Sequence, residues 1–470
     1  MSEAPLILWF RRDLRLADQP MLAAAAASGR PVIPVAILDE VMAGLGAAPR
    51  WRWGLALEAF AARLAGLGLR LILRRGPALA VLERLVAETG AAGVWWSRLY
   101  DPDSVARDRA VKAALRGRGL EARSFPGFLL HEPWTVQTGQ GGCYRVFTPY
   151  WRALRALPVA NSLPPPRALA PPPRWPGSEA LADWRLDRAM DRGAAVVRAH
   201  LCLGEVAAAD RLAAFLAERI GSYAARRDFP AEAAGSGLAE NLAQGEIGPR
   251  QLWNAGILAL EQGVTGTETF LRELAWREFS YHLLHHFPEL GTRNWRAEWD
   301  GFPWQGDSEA AERWRRGMTG EPFVDAGMRE LYVTGRMHNR LRMVTASYLT
   351  KHLLTDWRLG LAWFEDCLID WDPAANAMGW QWVAGSGPDA APYFRIFNPA
   401  SQAEKFDPEG GYRRRFLAEF SAPPGPEARA FFAAAPRAWR LDPAAAYPAP
   451  VVGLAAGRAR ALAAYAQRRG

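Results

Sequence analysis

Five short apolar runs, at 6–10, 31–38, 69–73, 94–96 and 123–128, alternate with helical patterns at 20–28, 51–67, 78–88 and 104–116. Gly29, Gly68, Gly90 and Gly119 stand where those helices should stop, because a residue without a Cβ closes a helix in the left-handed conformation. Runs of Leu, Ile, Val and Trp this short read as buried strands. Strand and helix in alternation require right-handed crossovers and a parallel sheet. The pattern therefore predicts an α/β domain with a doubly wound parallel sheet over 1–128.

Two proline triplets follow, at 164–166 and 171–173. Proline continues neither a helix nor a central strand, so 129–198 is expected to be an extended connector. From about 199 the strand signal disappears. Helical patterns at 207–220, 268–287, 326–354 and 361–368 then dominate and predict a larger all-α domain over 199–470. There is no internal repeat.

Composition narrows the function. A net charge of +8 suits a polyanionic partner, because neutralising phosphates releases counterions. No apolar run is long enough to span a bilayer. The run 6–10 meets Arg11, Arg12 and Asp13 at once, unlike a signal peptide. Cys143, Cys202 and Cys367 are far apart and form neither a CxxC nor a zinc spacing. A cytoplasmic location and no metal site are expected. The 21 Trp are a large excess, and an indole repays its bulk only when it is buried, stacked or used in redox chemistry.

Three segments concentrate chemistry. In 272–279 (RELAWREF), helical spacing puts Glu273, Trp276 and Arg277 on one face. Together they offer a carboxylate for base N–H groups, a flat ring for stacking and a guanidinium for phosphate; a salt-bridged surface with a core Trp gives the same pattern. In 335–343 (GRMHNRLRM), Arg340 and Arg342 point to different faces, while Asn339 and Met343 share one. One Arg is then free for DNA and the other for an internal anion. In 370–382, Asp370, Asp372, Asn376, Trp380 and Trp382 crowd into thirteen residues and are followed by the polar and aromatic stretch 390–399. That density inside an apolar region suggests a lined cavity rather than plain core.

Taken in order with Trp9-Phe10-Arg11-Arg12-Asp13-Leu14-Arg15-Leu16, these segments resemble the DNA photolyase/cryptochrome family, closest to the class I cyclobutane pyrimidine dimer photolyases. The resemblance runs from about residue 6 into the C-terminal region. It implies an antenna α/β domain, a connector and a helical domain holding FAD. Asn376 would sit beside the flavin, with Asp370 and Asp372 near its ring and ribose and Arg342 paired to Asp370. Tyr223, Ser236, Leu238, Phe270 and Arg277 would complete the cofactor site. Where relatives carry two more hydroxyls, this chain has Gly235 and Ala239; each lost neutral hydrogen bond is worth about 1 kcal/mol.

The implied activity is light-dependent repair of pyrimidine dimers in DNA by electron transfer from photoexcited reduced FAD. Photolyases flip their target out of the duplex, so a member of the family would do so here. Glu273, Trp276, Asn339, Met343 and Trp382 would face the dimer, with Arg227, Arg340, Arg395 and Lys405 on the flanking phosphates. Trp380, Trp357 and Trp304 match a relay that reduces the flavin. A second antenna chromophore is open between a folate, a deazaflavin and none: folate-binding relatives carry a Glu near Ser104 and a Cys-Lys pair near Gly291 and Thr292, and neither is present. The expected partner is damaged DNA, and the expected state a monomer away from membranes. Within the family the rival is a cryptochrome-type blue-light receptor. A repair enzyme for the six-four photoproduct would carry paired histidines where this chain has His338-Asn339. Outside enzymes, the rival is a flavin-containing DNA-binding protein without repair activity.

Overall fold

The structure, a computed structural model, describes residues 3–389 and 394–467. Ala390, Ala391, Pro392 and Tyr393 of the segment singled out above lie outside the described residues.

Five strands, β1 (Leu6–Phe10), β2 (Val32–Leu38), β3 (Ile72–Arg75), β4 (Gly93–Ser97) and β5 (Glu121–Phe125), form one parallel sheet in the order β3-β2-β1-β4-β5. All five residues of β1 are fully buried. Leu6, Leu8 and Phe10 join the core on one side of the sheet, and Ile7 and Trp9 join the core on the other. This is why the run is continuously apolar: both faces of a parallel sheet are covered. The crossover helices are α1 (Pro20–Ser28), α2 (Ala47–Ala65), α3 (Ala78–Thr89) and α4 (Pro102–Gly117). Gln19 caps α1 with its side chain, Pro20 occupies the first turn, and Gly29 closes it at φ 67°. The outer strands shift by a few residues from the expected runs.

The proline-rich stretch runs extended along this domain. Ala170 O accepts from Val32 N at 2.8 Å, Glu179 N donates to Leu73 O at 3.0 Å, and Leu169 and Trp184 enter the core. A helix, α5 (Phe147–Ala156), precedes it.

The rest of the chain is helical. The elements that matter below are α6 (Gly204–Glu218), α7 (Thr267–His286), α8 (Pro322–Thr334), α9 (Asn339–Ser347), α10 (Trp357–Cys367) and α11 (Pro373–Ala384). The single helix expected over 326–354 is in fact three elements. Gly335 ends α8 in the left-handed conformation at φ 68°, His338 caps α9, and a π-helical turn spans Tyr348–His352. Apolar periodicity continues across the break, so the sequence pattern conceals it.

Two buried contact zones lock sheet and helices together. Arg12 Nε donates to Ala243 O at 2.8 Å and Arg15 Nη1 to Gly245 O at 3.1 Å. Arg52 from α2 pairs with Glu240 at 3.2 Å and Glu246 at 2.6 Å, all three side chains fully buried. Among the described residues no helix is long and apolar enough to cross a membrane.

Candidate functional site in the helical domain

Asp372 starts α11. Its side chain accepts from Ala375 N, and Pro373 fits the first turn, where no N–H is needed. This fixes Asp370, Asp372 and Asn376 around the helix start, each less than a tenth exposed. Arg342 of α9 reaches across with Nη2 at 2.9 and 2.7 Å from the two Asp370 oxygens, and its Nε donates to Met337 O. Asn376 Nδ2 donates to Asp372 O at 3.0 Å. The internal anion expected for Arg342 is thus Asp370, and Arg340, on the other face, pairs with Asp228 at 2.6 Å.

Arg277 differs from its expected place beside Glu273. Its guanidinium turns inward, over the Phe128 ring at 4.5 Å, with Nη1 donating to Phe128 O at 2.9 Å. Its nearest carboxylates, Glu278 and Asp372, stand off at 3.5 and 3.6 Å, and its buried Nη2 has no acceptor. A buried guanidinium N–H without a partner is costly, and an anionic group answers it. The donor set here therefore fits a phosphate-bearing flavin nucleotide.

Tyr223 and Phe270 meet in one buried aromatic cluster with Phe215, at ring distances of 5.0 to 6.2 Å. Burial pushes the Tyr223 hydroxyl up to about 12. Ser236 stands apart from the Arg342–Asp370 pair in sequence and partners. It belongs to a loop whose carbonyls are held by Arg211 (to Gly237 O, 2.6 Å) and Arg219 (to Gly235 O, 3.1 Å). Its own Oγ accepts from Leu238 N at 3.4 Å, and Leu238 is buried. The helix that follows spans only Ala239–Gln244.

Of the residues expected at a lesion pocket, Glu273, Trp276, Met343 and Trp382 are half-buried and Asn339 is exposed. Glu273 pairs with Arg227 at 2.5 Å. Trp276 is half-buried and lies flat on Phe147. Trp382 is also half-buried, and its Nε1 donates to Asp389 O at 3.0 Å. Asn339 is exposed at the start of α9, and Met343, one turn on, packs against the core beneath. Burial pushes His338 down to about 4, so its ring is neutral at pH 7 and Nδ1 accepts from Arg340 N, capping α9. Arg340 and Lys405 share the Phe406 ring, at 4.2 and 5.1 Å. Arg395 is exposed and lies 6.0 Å from the Phe397 ring, further along the chain.

The three tryptophans expected to form a relay differ in burial. Trp380 and Trp357 are buried, and Trp304 is half-buried. Gly360, one turn after Trp357 on α10, lies against the six-membered ring of Trp380, with no room for a Cβ. Gln305 bridges to Thr355, which holds Trp304 beside the start of α10. Trp357 Nε1 donates to Asn294 at 2.9 Å, whereas Trp380 and Trp304 have no partner for theirs.

Sequence reasoning missed Phe147, Asp389 and Arg12. Arg12 alone carried a signal: a charged residue directly after a fully apolar strand, which turns out buried with Nη2 on Trp371 O at 3.4 Å. On the α/β side, Ser104 is buried in the first turn of α4, which Asp101 caps. A cavity of about 480 Å³, lined by Leu38, Arg50, Trp184, Leu186 and Arg188 among others, opens on that side and takes in none of the expected site residues.

Two family models match: DNA photolyase over residues 6–172, and FAD binding domain of DNA photolyase over 270–467. A curated deoxyribodipyrimidine photo-lyase of Agrobacterium fabrum is 46% identical over 99% of this chain and 98% of its own length. Another, from Synechococcus, is 38% identical over 88% of each. The crystal structure of a bacterial class III photolyase from Agrobacterium tumefaciens superposes with a TM-score of 0.91 at 45% identity, over 100% of this chain and 98% of that one.

Proposed function

The chain belongs to the DNA photolyase family, and from that premise we propose that the cluster at the start of α11 holds its FAD and that Glu273, Trp276, Asn339, Met343 and Trp382 take the lesion. The activity is light-dependent repair of pyrimidine dimers in DNA, and the cofactor is FAD. The single observation that carries the site assignment is the buried Arg277, whose Nη2 finds no acceptor while it stands 3.6 Å from Asp372, two residues after the Asp370 that Arg342 holds.

In this reading Arg342, Asp370, Asp372 and Asn376 line the flavin ring and ribose, and Arg277 faces an anionic part of the cofactor. Tyr223, Ser236, Leu238 and Phe270 complete the cradle, with backbone N–H groups standing in for the hydroxyls absent at Gly235 and Ala239. What bound, reduced FAD supplies is light-driven one-electron donation. The protein's own part is positioning. Trp276 and Trp382 present apolar faces to two fused bases, and stacking of this kind is worth roughly 1–3 kcal/mol per base. Glu273 accepts from base N–H groups once Arg227 turns to phosphate. Asn339 reaches base edges, and Met343 fills the irregular space beside the ring. Arg340, Arg395 and Lys405 hold flanking phosphates without reading sequence. Trp380, Trp357 and Trp304 carry electrons inward to reduce the flavin.

We also propose a monomer acting in the cytoplasm. All three cysteines are free, as a reducing compartment favours. The test is repair of a defined dimer in duplex DNA, lit and dark, by protein assayed for bound FAD. Protein that cannot be reconstituted with FAD would end the site assignment.

A further inference from the structure

We propose that Phe147 and Asp389 are positioning residues that set the plane and the spacing of the two indole walls, Trp276 and Trp382. The inference rests on these two tryptophans lining the lesion site. Phe147 comes from α5, in the connector rather than the helical domain, and is 2% exposed. Its ring lies on Trp276 with centroids 3.6 Å apart and planes within 8°. Aromatic pairs free to choose settle edge-on or offset at 4.5 to 7 Å; the neighbouring Phe147–Phe279 and Trp276–Phe279 pairs do so at 5.9 Å. The flat pair is therefore held by its surroundings. The Arg272 guanidinium, one turn before Trp276 on α7, adds a cation 5.7 Å from the same Phe147 ring.

The arrangement gives the indole a floor. One face of Trp276 is occupied by a buried ring, and the residue remains half-exposed, so a base has one face to meet at a fixed angle. Asp389 ties this floor to the other wall. Its Oδ1 accepts from Phe147 N at 3.4 Å and its backbone O from Trp382 Nε1 at 3.0 Å. Asp389 does this at φ 51°, a left-handed conformation that Asp tolerates better than most residues. The neighbouring loop therefore holds both tryptophans through one residue. Neither Phe147 nor Asp389 is placed to touch the lesion; each acts through a tryptophan.

The experiment measures the affinity of the FAD-loaded full chain for duplex DNA with and without a defined dimer, plus repair by pre-reduced enzyme. Phe147→Leu keeps an apolar side chain but removes the flat partner. It should lower the ratio of damaged to undamaged affinity roughly three- to tenfold, leaving FAD content and flavin photoreduction unchanged. Phe147→Tyr, which restores the ring, should recover the ratio. Asp389→Ala should lower it less, and Asp389→Asn, which keeps Oδ1, should not. An unchanged ratio in Phe147→Leu, or equal weakening on both DNAs, overturns the proposal. If Phe147→Leu fails to fold, the Asp389 pair decides, and an unchanged ratio in Asp389→Ala is then the overturning result. Trp276→Ala separates the two levels: a ratio insensitive to that variant too removes the lesion-site reading itself, whereas loss there alone removes only the role of Phe147 and Asp389.

Discussion

The α/β domain and the helical domain each gather arginines and carboxylates at a site where ligands bind, with opposite results. In an open α/β sheet, ligands sit beyond the C-terminal strand ends where strand order reverses, here between β1 and β4. That crest is closed. Arg11 pairs with Asp108 at 2.8 Å, and Arg107 pairs with Asp39 at 3.0 Å and Asp108 at 2.8 Å, every side chain at most 13% exposed. Both guanidiniums lie over Trp9, at 4.2 and 4.8 Å. Only single N–H groups, Trp9 Nε1 and Arg11 Nε, go unanswered. In the helical domain Arg277 stands 3.5 Å or more from any carboxylate pairing with it, and an entire Nη2 lacks an acceptor. The same chemistry is structure when its charges answer one another and, on the proposed reading, a binding site when one is left over.

The largest effect that sharpens this contrast comes from two matched truncations. Arg342→Ala removes the guanidinium held by the buried Asp370, and Arg107→Ala leaves the buried Asp39 with only its backbone donors Val41 N and Met42 N, its carboxyl already pushed up by burial. Removing one partner of a buried pair costs about 3–5 kcal/mol. Both variants should unfold at lower temperature, but only Arg342→Ala should lose FAD, read from the absorbance of purified protein. Equal loss of FAD from both would erase the distinction.

Next comes Trp380→Phe. Photoreduction of the oxidised flavin should slow sharply, while pre-reduced enzyme repairs at the normal rate. Unchanged photoreduction means that electrons enter by another path.

A smaller effect concerns pH. Burial pushes Glu278 up from 4.5 to about 7, against the lowering pull of Arg277 and the N–H groups of Leu130 and His131. An acid whose folded value is raised favours the folded state most at low pH. Its contribution is full below about 4.5, declines as pH rises towards 7 and is constant above, a difference of roughly 3 kcal/mol. Urea unfolding of Glu278→Gln should lack that decline between pH 5 and pH 8. An identical pH slope in wild type and variant would show Glu278 charged throughout.

The smallest effect is electrostatic. Arg340→Ala should weaken damaged and undamaged DNA alike and reduce the salt slope by about one unit if one phosphate contact goes. A change confined to damaged DNA would move Arg340 from the phosphates to the bases.

The sheet was legible because its physics is local: fully buried parallel strands must be apolar, and Gly29 or Gly90 marks a helix end in its own residue type. The helix over 326–354 was not, because Gly335 and His338 break the backbone while the apolar period runs on. At the site, Arg342 with Asp370 could be expected from motif and helical spacing together. Spacing gave Arg277 a face shared with Glu273 but not the direction its long side chain takes, which is inward over Phe128. Phe147 on Trp276 left no trace, since no period links positions so far apart in the chain. The motifs also carry the family without its classes: class I was expected, and the solved relative above is described as class III.

The buried arginines joining sheet to helices have a consequence in time. Arg12, Arg15 and Arg52 belong to the first domain to leave the ribosome, and each has an acceptor among residues 240–246. Those acceptors emerge roughly a hundred residues after the sheet is complete, about 5 to 20 s later at ordinary rates of synthesis. Until then Arg12 and Arg52 lack these partners and Arg15 keeps only Asp18 O and Gly127 O, and burying guanidiniums with partners missing is costly. The nascent sheet domain therefore waits with that flank open, and the strands made first are sealed by the helices made later.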